Sequence, residues 1–94
     1  MTKTVIGIMG PGLDAEPMDI ENSYNIGKYA AQKGYVTLTG GRNVGVMHSA
    51  LKGAKDSGGD TIGILAYGNK TNGSEYADIL IVTSMTEYVK VVVV

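Results

Sequence analysis

The feature that most constrains this chain is where its glycines fall: they close or open short β-branched apolar runs. Lys3 to Met9 runs into Gly10, Pro11 and Gly12, and Tyr35 to Thr39 is cut off by Gly40 and Gly41. Thr61 to Ala66 follows Gly58 and Gly59 after a single residue, Asp60. Glycines spread evenly make a flexible linker, whereas glycines that punctuate apolar runs mark tight turns between packed elements. With fourteen glycines against two prolines, the chain reads as a series of short elements joined by sharp turns.

Between the runs the periodicity changes. From Asp19 to Lys33, Ile20, Tyr24, Gly27, Ala30 and Ala31 fall at helical spacing, with Asp19 as the expected N-cap and Gly34 as the stop. From Val44 to Asp56, Val44, Met47, Ala50, Leu51 and Ala54 make an i, i+3, i+4, i+7 stripe that ends at Ser57-Gly58-Gly59. Asp78 to Thr83 is a further strand, and the polar stretch 67–76 before it is read as loop. The order β-α-β-α-β-β predicts an α/β fold: a Rossmann-like, mostly parallel sheet with right-handed crossovers, forming an incomplete doubly wound domain over residues 1–94. In the tail, 84–94, a Ser84/Glu87 capping-box pair competes with the β-branched run Val91 to Val94, and an added strand is favoured. An exposed strand of that kind invites pairing, so self-association into a homo-oligomer is expected.

Composition removes several functions. At a formal charge of -1, with no Lys/Arg block, the chain lacks the electrostatic footprint of nucleic-acid or anionic-membrane binding. It has no cysteine, hence no disulfide, thiolate metal site or cysteine nucleophile, and no His/Asp/Glu group has ligand spacing. The five or so apolar residues of the N-terminus read as a strand rather than a signal peptide, so the cytoplasm is the expected address.

What remains is the carboxyl edge of the sheet, where helix N-termini present unpaired N–H groups and partial positive charge. Two turns lie there. Gly10, Pro11 and Gly12 allow close approach of a ligand to the backbone, although the G-x-G-x-x-G fingerprint is absent and no acidic residue ends the second strand, so an ordinary NAD site is not indicated. The turn Thr39 to Met47 is the sharper one: Gly40 and Gly41 free the backbone for a nest of donors, Arg42 and Asn43 follow, and Gly45 permits close packing at the helix start. The plain alternative is tight-turn glycines beside a solvated arginine. The single histidine, His48, has no placed carboxylate near it in sequence and reads as a surface or half-buried residue.

The motifs GIMGPG (7–12), TGGRNVGVM (39–47), GAKDSGG (53–59), TIGIL (61–65) and ADILIVT (77–83) together resemble the Lonely Guy and lysine decarboxylase-like superfamily of Rossmann-like proteins. Within it they resemble the molybdenum cofactor carrier branch, over roughly residues 3 to 85. The resemblance implies a nucleotide or pterin phosphate held by Gly10, Pro11 and Gly12 and by Gly40, Gly41, Arg42 and Gly45, with molybdenum cofactor as cargo and no cofactor required. Enzymatic members resemble phosphoribohydrolases and use a later PGGxGTxxE loop with a catalytic glutamate, which this chain lacks. Carrier-like members follow the fourth strand with an Arg-Asn pair, where this chain reads Thr83-Ser84-Met85-Thr86-Glu87. The expectation is a non-catalytic binder of a small phosphate-bearing molecule; the alternatives are a phosphoribohydrolase acting on nucleoside monophosphates and a purely structural module.

Overall fold

The computed structural model describes residues 2–66 and 70–83. Four strands, β1 (Val5–Gly7), β2 (Val36–Thr39), β3 (Thr61–Leu65) and β4 (Ile79–Val82), form one sheet in the order β1-β2-β3-β4, every neighbouring pair parallel. Helix α1 (Pro17–Gln32) joins β1 to β2, and α2 (Gly45–Asp56) joins β2 to β3. The α/β alternation and parallel sheet expected from the periodicity are borne out. The 84–94 tail, on which the added strand and the self-association rested, lies outside the described residues.

Two details differ from the sequence reading. Helix α1 begins at Pro17, with Glu16 as the N-cap, and Asp19 sits in its first turn, where its carboxylate accepts the Glu16 N–H at 3.0 Å. Proline at the helix start needs no N–H partner, so Pro17 was the stronger signal. The β3–β4 connection also contains a 3-10 turn, Lys70–Asn72, and an isolated antiparallel bridge between Gly73 and Arg42.

The two helices lie side by side on one face of the sheet. They touch backbone to backbone: a Cβ on Gly27 would stand 2.0 Å from the Ala50 carbonyl oxygen, and one on Gly53 would stand 2.0 Å from that of Tyr24. The Ser49 hydroxyl crosses the seam to donate to the Ile20 carbonyl at 2.6 Å. Beneath them Ile8, Val46 and Ala50 form the core cluster, with Ile6 packed against it, while Leu51 and Leu65 are wholly buried. Thr37, Thr39 and Thr61 are also fully buried. Thr39 and Thr61 have hydrogen-bond partners, but the Thr37 hydroxyl has none.

Candidate functional site

The two glycine turns come together at the carboxyl edge. After β1 the chain continues through Ile8, whose N–H donates to the Leu38 carbonyl at 2.9 Å, into the turn at Gly10, Pro11 and Gly12. There the start of α2 meets it: the Val46 N–H donates to the Pro11 carbonyl at 3.0 Å. Gly45, at φ +59°, is the first residue of α2, and a Cβ on it would stand 2.2 Å from the Gly12 oxygen and 2.5 Å from the Pro11 oxygen. Both the left-handed backbone and the contact demand glycine at this position. Gly10 is packed against the Val46 side chain, 2.8 Å from where its own Cβ would be.

The second turn is built around buried Thr39, whose hydroxyl accepts the Gly41 N–H at 3.0 Å. A strand-like segment from the β3–β4 connection lies across the turn: the Asn43 N–H donates to the Asn72 carbonyl at 3.1 Å, and the Ser74 N–H donates to the Gly41 carbonyl at 2.8 Å. Three donors that an anion nest would use, those of Gly41, Asn43 and Val46, are therefore engaged inside the protein. The glycines of this turn serve packing as well, since Gly40 abuts the Met47 sulfur.

Other groups stay open to a ligand. Helix α2 is capped by Val44, which offers no side-chain acceptor. The N–H groups of Arg42 and Gly45 meet no acceptor among the described residues. The Arg42 side chain lies over the first turn, with Nη1 3.9 Å from the position of a Gly12 Cβ. Ion pairs among the described residues join Lys3 to Asp60 and Lys55 to Asp78, leaving the half-buried Arg42 guanidinium without a carboxylate. The eight residues singled out in the sequence thus divide: Gly10, Pro11, Gly12, Gly45 and Arg42 converge, while Gly40, Gly41 and Asn43 mainly shape the turn that carries Arg42.

His48 has a partner that sequence reasoning missed. Its Nδ1 lies 2.9 Å from the hydroxyl of buried Ser74, which also accepts the Tyr76 N–H at 3.2 Å. The Tyr76 and His48 rings are tilted at 50° with centroids 5.0 Å apart. With one acceptor role already filled by Tyr76, the Ser74 O–H is free to donate to Nδ1, and the pair ties the first turn of α2 to the segment that clamps Gly41 and Asn43. No local pattern announces a pair separated by 26 residues. At the opposite end of α2 the Tyr24 phenol donates to Asp56 at 2.5 Å, and that hydrogen bond raises its pKa above the ordinary value. It lies away from the glycine turns and joins the two helices. Among the described residues no group of three His, Asp or Glu converges, and no helix is long and apolar enough to cross a membrane.

The chain matches the SLOG cluster4 family model over residues 3–94. A protein of Archaeoglobus fulgidus is 39% identical over 90 residues, covering 95% of this chain and 57% of that protein. Among solved structures, the molybdenum cofactor binding protein of the phototrophic bacterium Rippkaea orientalis is 51% identical, with a TM-score of 0.90 over 94% of this chain and 54% of its own. The Moco carrier protein of Chlamydomonas reinhardtii is 45% identical, with a TM-score of 0.84 over 93% of this chain and 53% of its own. This chain therefore spans about half the length of the relatives it matches. Match and fold agree with the likeness carried by the five motifs: the chain belongs to the SLOG cluster4 family and is similar in fold and sequence to the first half of molybdenum cofactor carrier proteins.

Proposed function

We propose that this domain is a carrier-like, non-catalytic binder of molybdenum cofactor, holding the phosphate end of the cargo between the Gly10–Pro11–Gly12 turn and the start of α2. The observation that carries this reading is the junction of the two turns, where Gly45 packs on Gly12 and the Arg42 guanidinium, which meets no carboxylate among the described residues, lies over it. A helix N-terminus without a side-chain cap, beside a guanidinium that meets no carboxylate among the described residues, suits a phosphate by partial charge and by bidentate hydrogen bonding. The binding that the names of the Rippkaea orientalis and Chlamydomonas reinhardtii proteins describe supports cofactor as the cargo. The same reading keeps the protein in the cytoplasm, the address expected from the sequence.

The test is a thermal-shift and calorimetric series with inorganic phosphate, AMP and molybdopterin. A ligand at about 100 times its dissociation constant stabilises by roughly 2.7 kcal/mol. A shift with molybdopterin larger than with phosphate at equal concentration is expected. No shift with any of the three overturns the proposal.

A further inference from the structure

Arg42 is held from outside its own turn. The residues on either side of it both bond to the β3–β4 connection: the Ser74 N–H donates to the Gly41 carbonyl at 2.8 Å, and the Asn43 N–H donates to the Asn72 carbonyl at 3.1 Å. These two bonds set Arg42 opposite Gly73 in an antiparallel bridge, of the type whose facing Cα atoms stand about 4.5 Å apart. Glycine supplies no side chain for Arg42 to lean on across the bridge. The backbone pairing therefore has the main part in setting the direction in which Arg42 leaves the turn.

Two backbone hydrogen bonds are a weak hold, since an isolated pair of strands is only marginally stable in water. The stronger hold is at Ser74, which is 4% exposed. Its hydroxyl oxygen accepts the Tyr76 N–H and lies 2.9 Å from His48 Nδ1, while the Tyr76 ring rests against the imidazole. His48 belongs to the first turn of α2, whose first residue, Gly45, packs on Gly12. One helical turn thus carries both the contact with Gly12 and the anchor of the segment that orients Arg42.

We propose that His48 is a positioning residue for Arg42: through Ser74 it locks the 72–76 segment against Gly41 and Asn43, and so fixes the guanidinium over Gly12. His48 acts on Arg42 only along this chain of contacts. That phosphate is what Arg42 then grips is the one step that rests on the proposed function. Without the imidazole nitrogen, the buried Ser74 hydroxyl loses its partner and the bridge loosens. A guanidinium that is in place in only a fraction of the molecules lowers the apparent affinity by that fraction.

Three variants test this. His48→Phe keeps a ring beside Tyr76 and removes the nitrogen, whereas His48→Asn puts an amide oxygen where Nδ1 stands. Ser74→Ala breaks the same bond from the other side, should the larger ring disturb α2. Arg42 is the only arginine in the chain, so its Nε–Hε signal in a proton–nitrogen NMR spectrum is unambiguous. That signal should hold one folded position in the parent and in His48→Asn, and move toward the position of free arginine in His48→Phe and Ser74→Ala. Inorganic phosphate titrated into the same samples should bind about fivefold more weakly to His48→Phe and Ser74→Ala, with the affinity restored in His48→Asn. In an Arg42→Ala background neither substitution should weaken binding further. An Arg42 signal that stays in place in both variants, or a loss of affinity of the same size with and without Arg42, overturns the inference. A displaced signal in a chain that binds neither phosphate nor molybdopterin keeps the role of His48 and removes the functional reading. Phosphate binding that depends on Arg42 but not on His48 or Ser74 does the reverse.

Discussion

The backbones of Gly41 and Gly63 pass in van der Waals contact: a Cβ on Gly41 would lie 2.9 Å from the Gly63 Cα, and one on Gly63 would lie 2.7 Å from the Gly41 Cα. Gly41 also has φ +81°. The third strand beneath this turn is thus sufficient by itself to require glycine at position 41. Gly41→Val combines backbone strain with a clash against main chain that cannot rotate away, so a loss of about 3 kcal/mol or more of stability is expected. Gly63→Ala should cost less, about 1–3 kcal/mol, because its φ is ordinary. Urea denaturation of the two variants checks this; a Gly41→Val protein as stable as the parent would disprove the contact.

Arg42 behaves differently. Its guanidinium has no carboxylate partner among the described residues, so its removal breaks no ion pair within the fold. Arg42→Ala should leave stability within about 0.5 kcal/mol and weaken phosphate or molybdopterin binding by about 1.5–3 kcal/mol, the scale of a lost charge-assisted hydrogen bond. Urea denaturation of the variant reads the first quantity and calorimetric titration the second. Unchanged affinity would remove Arg42 from the site.

The elements were legible in the sequence because their periods are clean. The stripe from Val44 to Leu51 and the β-branched runs could be read without tertiary information, and Gly34 does follow the C-cap of α1. The start of α1 was misjudged because Asp19 resembles an N-cap by type, although it acts three residues later by accepting the Glu16 N–H. Which amides of the second turn remain free was not legible at all. Gly41 is answered by Thr39 two residues away, but Asn43 is answered by Asn72 and His48 by Ser74, across a connection whose path no local pattern encodes. The exposure of Ile79 and Ile81 among the described residues was likewise illegible, since a strand such as Ile79–Val82 is apolar whether or not anything lies on it.

The non-catalytic reading is open to direct test. Glycosidic cleavage needs a positioned acid or base and stabilisation of developing charge. His48, the titratable side chain nearest the start of α2, is hydrogen-bonded to Ser74 through Nδ1, with its ring tilted against that of Tyr76. Incubation with nucleoside monophosphates should release no free base at an enzymatic rate. Turnover near ~1 s⁻¹ or above would establish a phosphoribohydrolase in place of a carrier.

Thr37 offers a stabilising substitution. Its hydroxyl is fully buried between Ile6 and Thr61 and lacks a hydrogen-bond partner. An unsatisfied buried hydroxyl costs about 1–3 kcal/mol, and valine has nearly the same shape without that cost. Thr37→Val should raise stability by about 1 kcal/mol, seen as a higher urea midpoint at unchanged m-value. A lower midpoint would mean that the hydroxyl is satisfied by water.

Asp78 makes stability depend on pH, and the sign follows from its neighbours. Its carboxylate accepts Lys55 Nζ, at 2.8 Å to Oδ1 and 3.1 Å to Oδ2, and the Thr61 N–H at 3.0 Å, which pins the start of β4 to β3 and to α2. The Lys55 hydrogen bond is the largest cause holding its pKa below the ordinary carboxylate value of 3.8; the Thr61 bonds act in the same direction and partial burial opposes them. A carboxylate whose pKa is lower folded than unfolded stabilises fully above the unfolded value, and that stability disappears as pH falls through the folded one. Both side chains are about a third exposed, which screens the pair and limits its worth to about 1 kcal/mol. Asp78→Asn should therefore cost about 1 kcal/mol at pH 7, and the gap between variant and parent should narrow below pH ~4, where the unfolded aspartate takes up its proton. Urea titrations of both proteins at pH 7, 4 and 3 decide the matter. A gap that stays constant across that range would show that the carboxylate contributes through shape and not through charge.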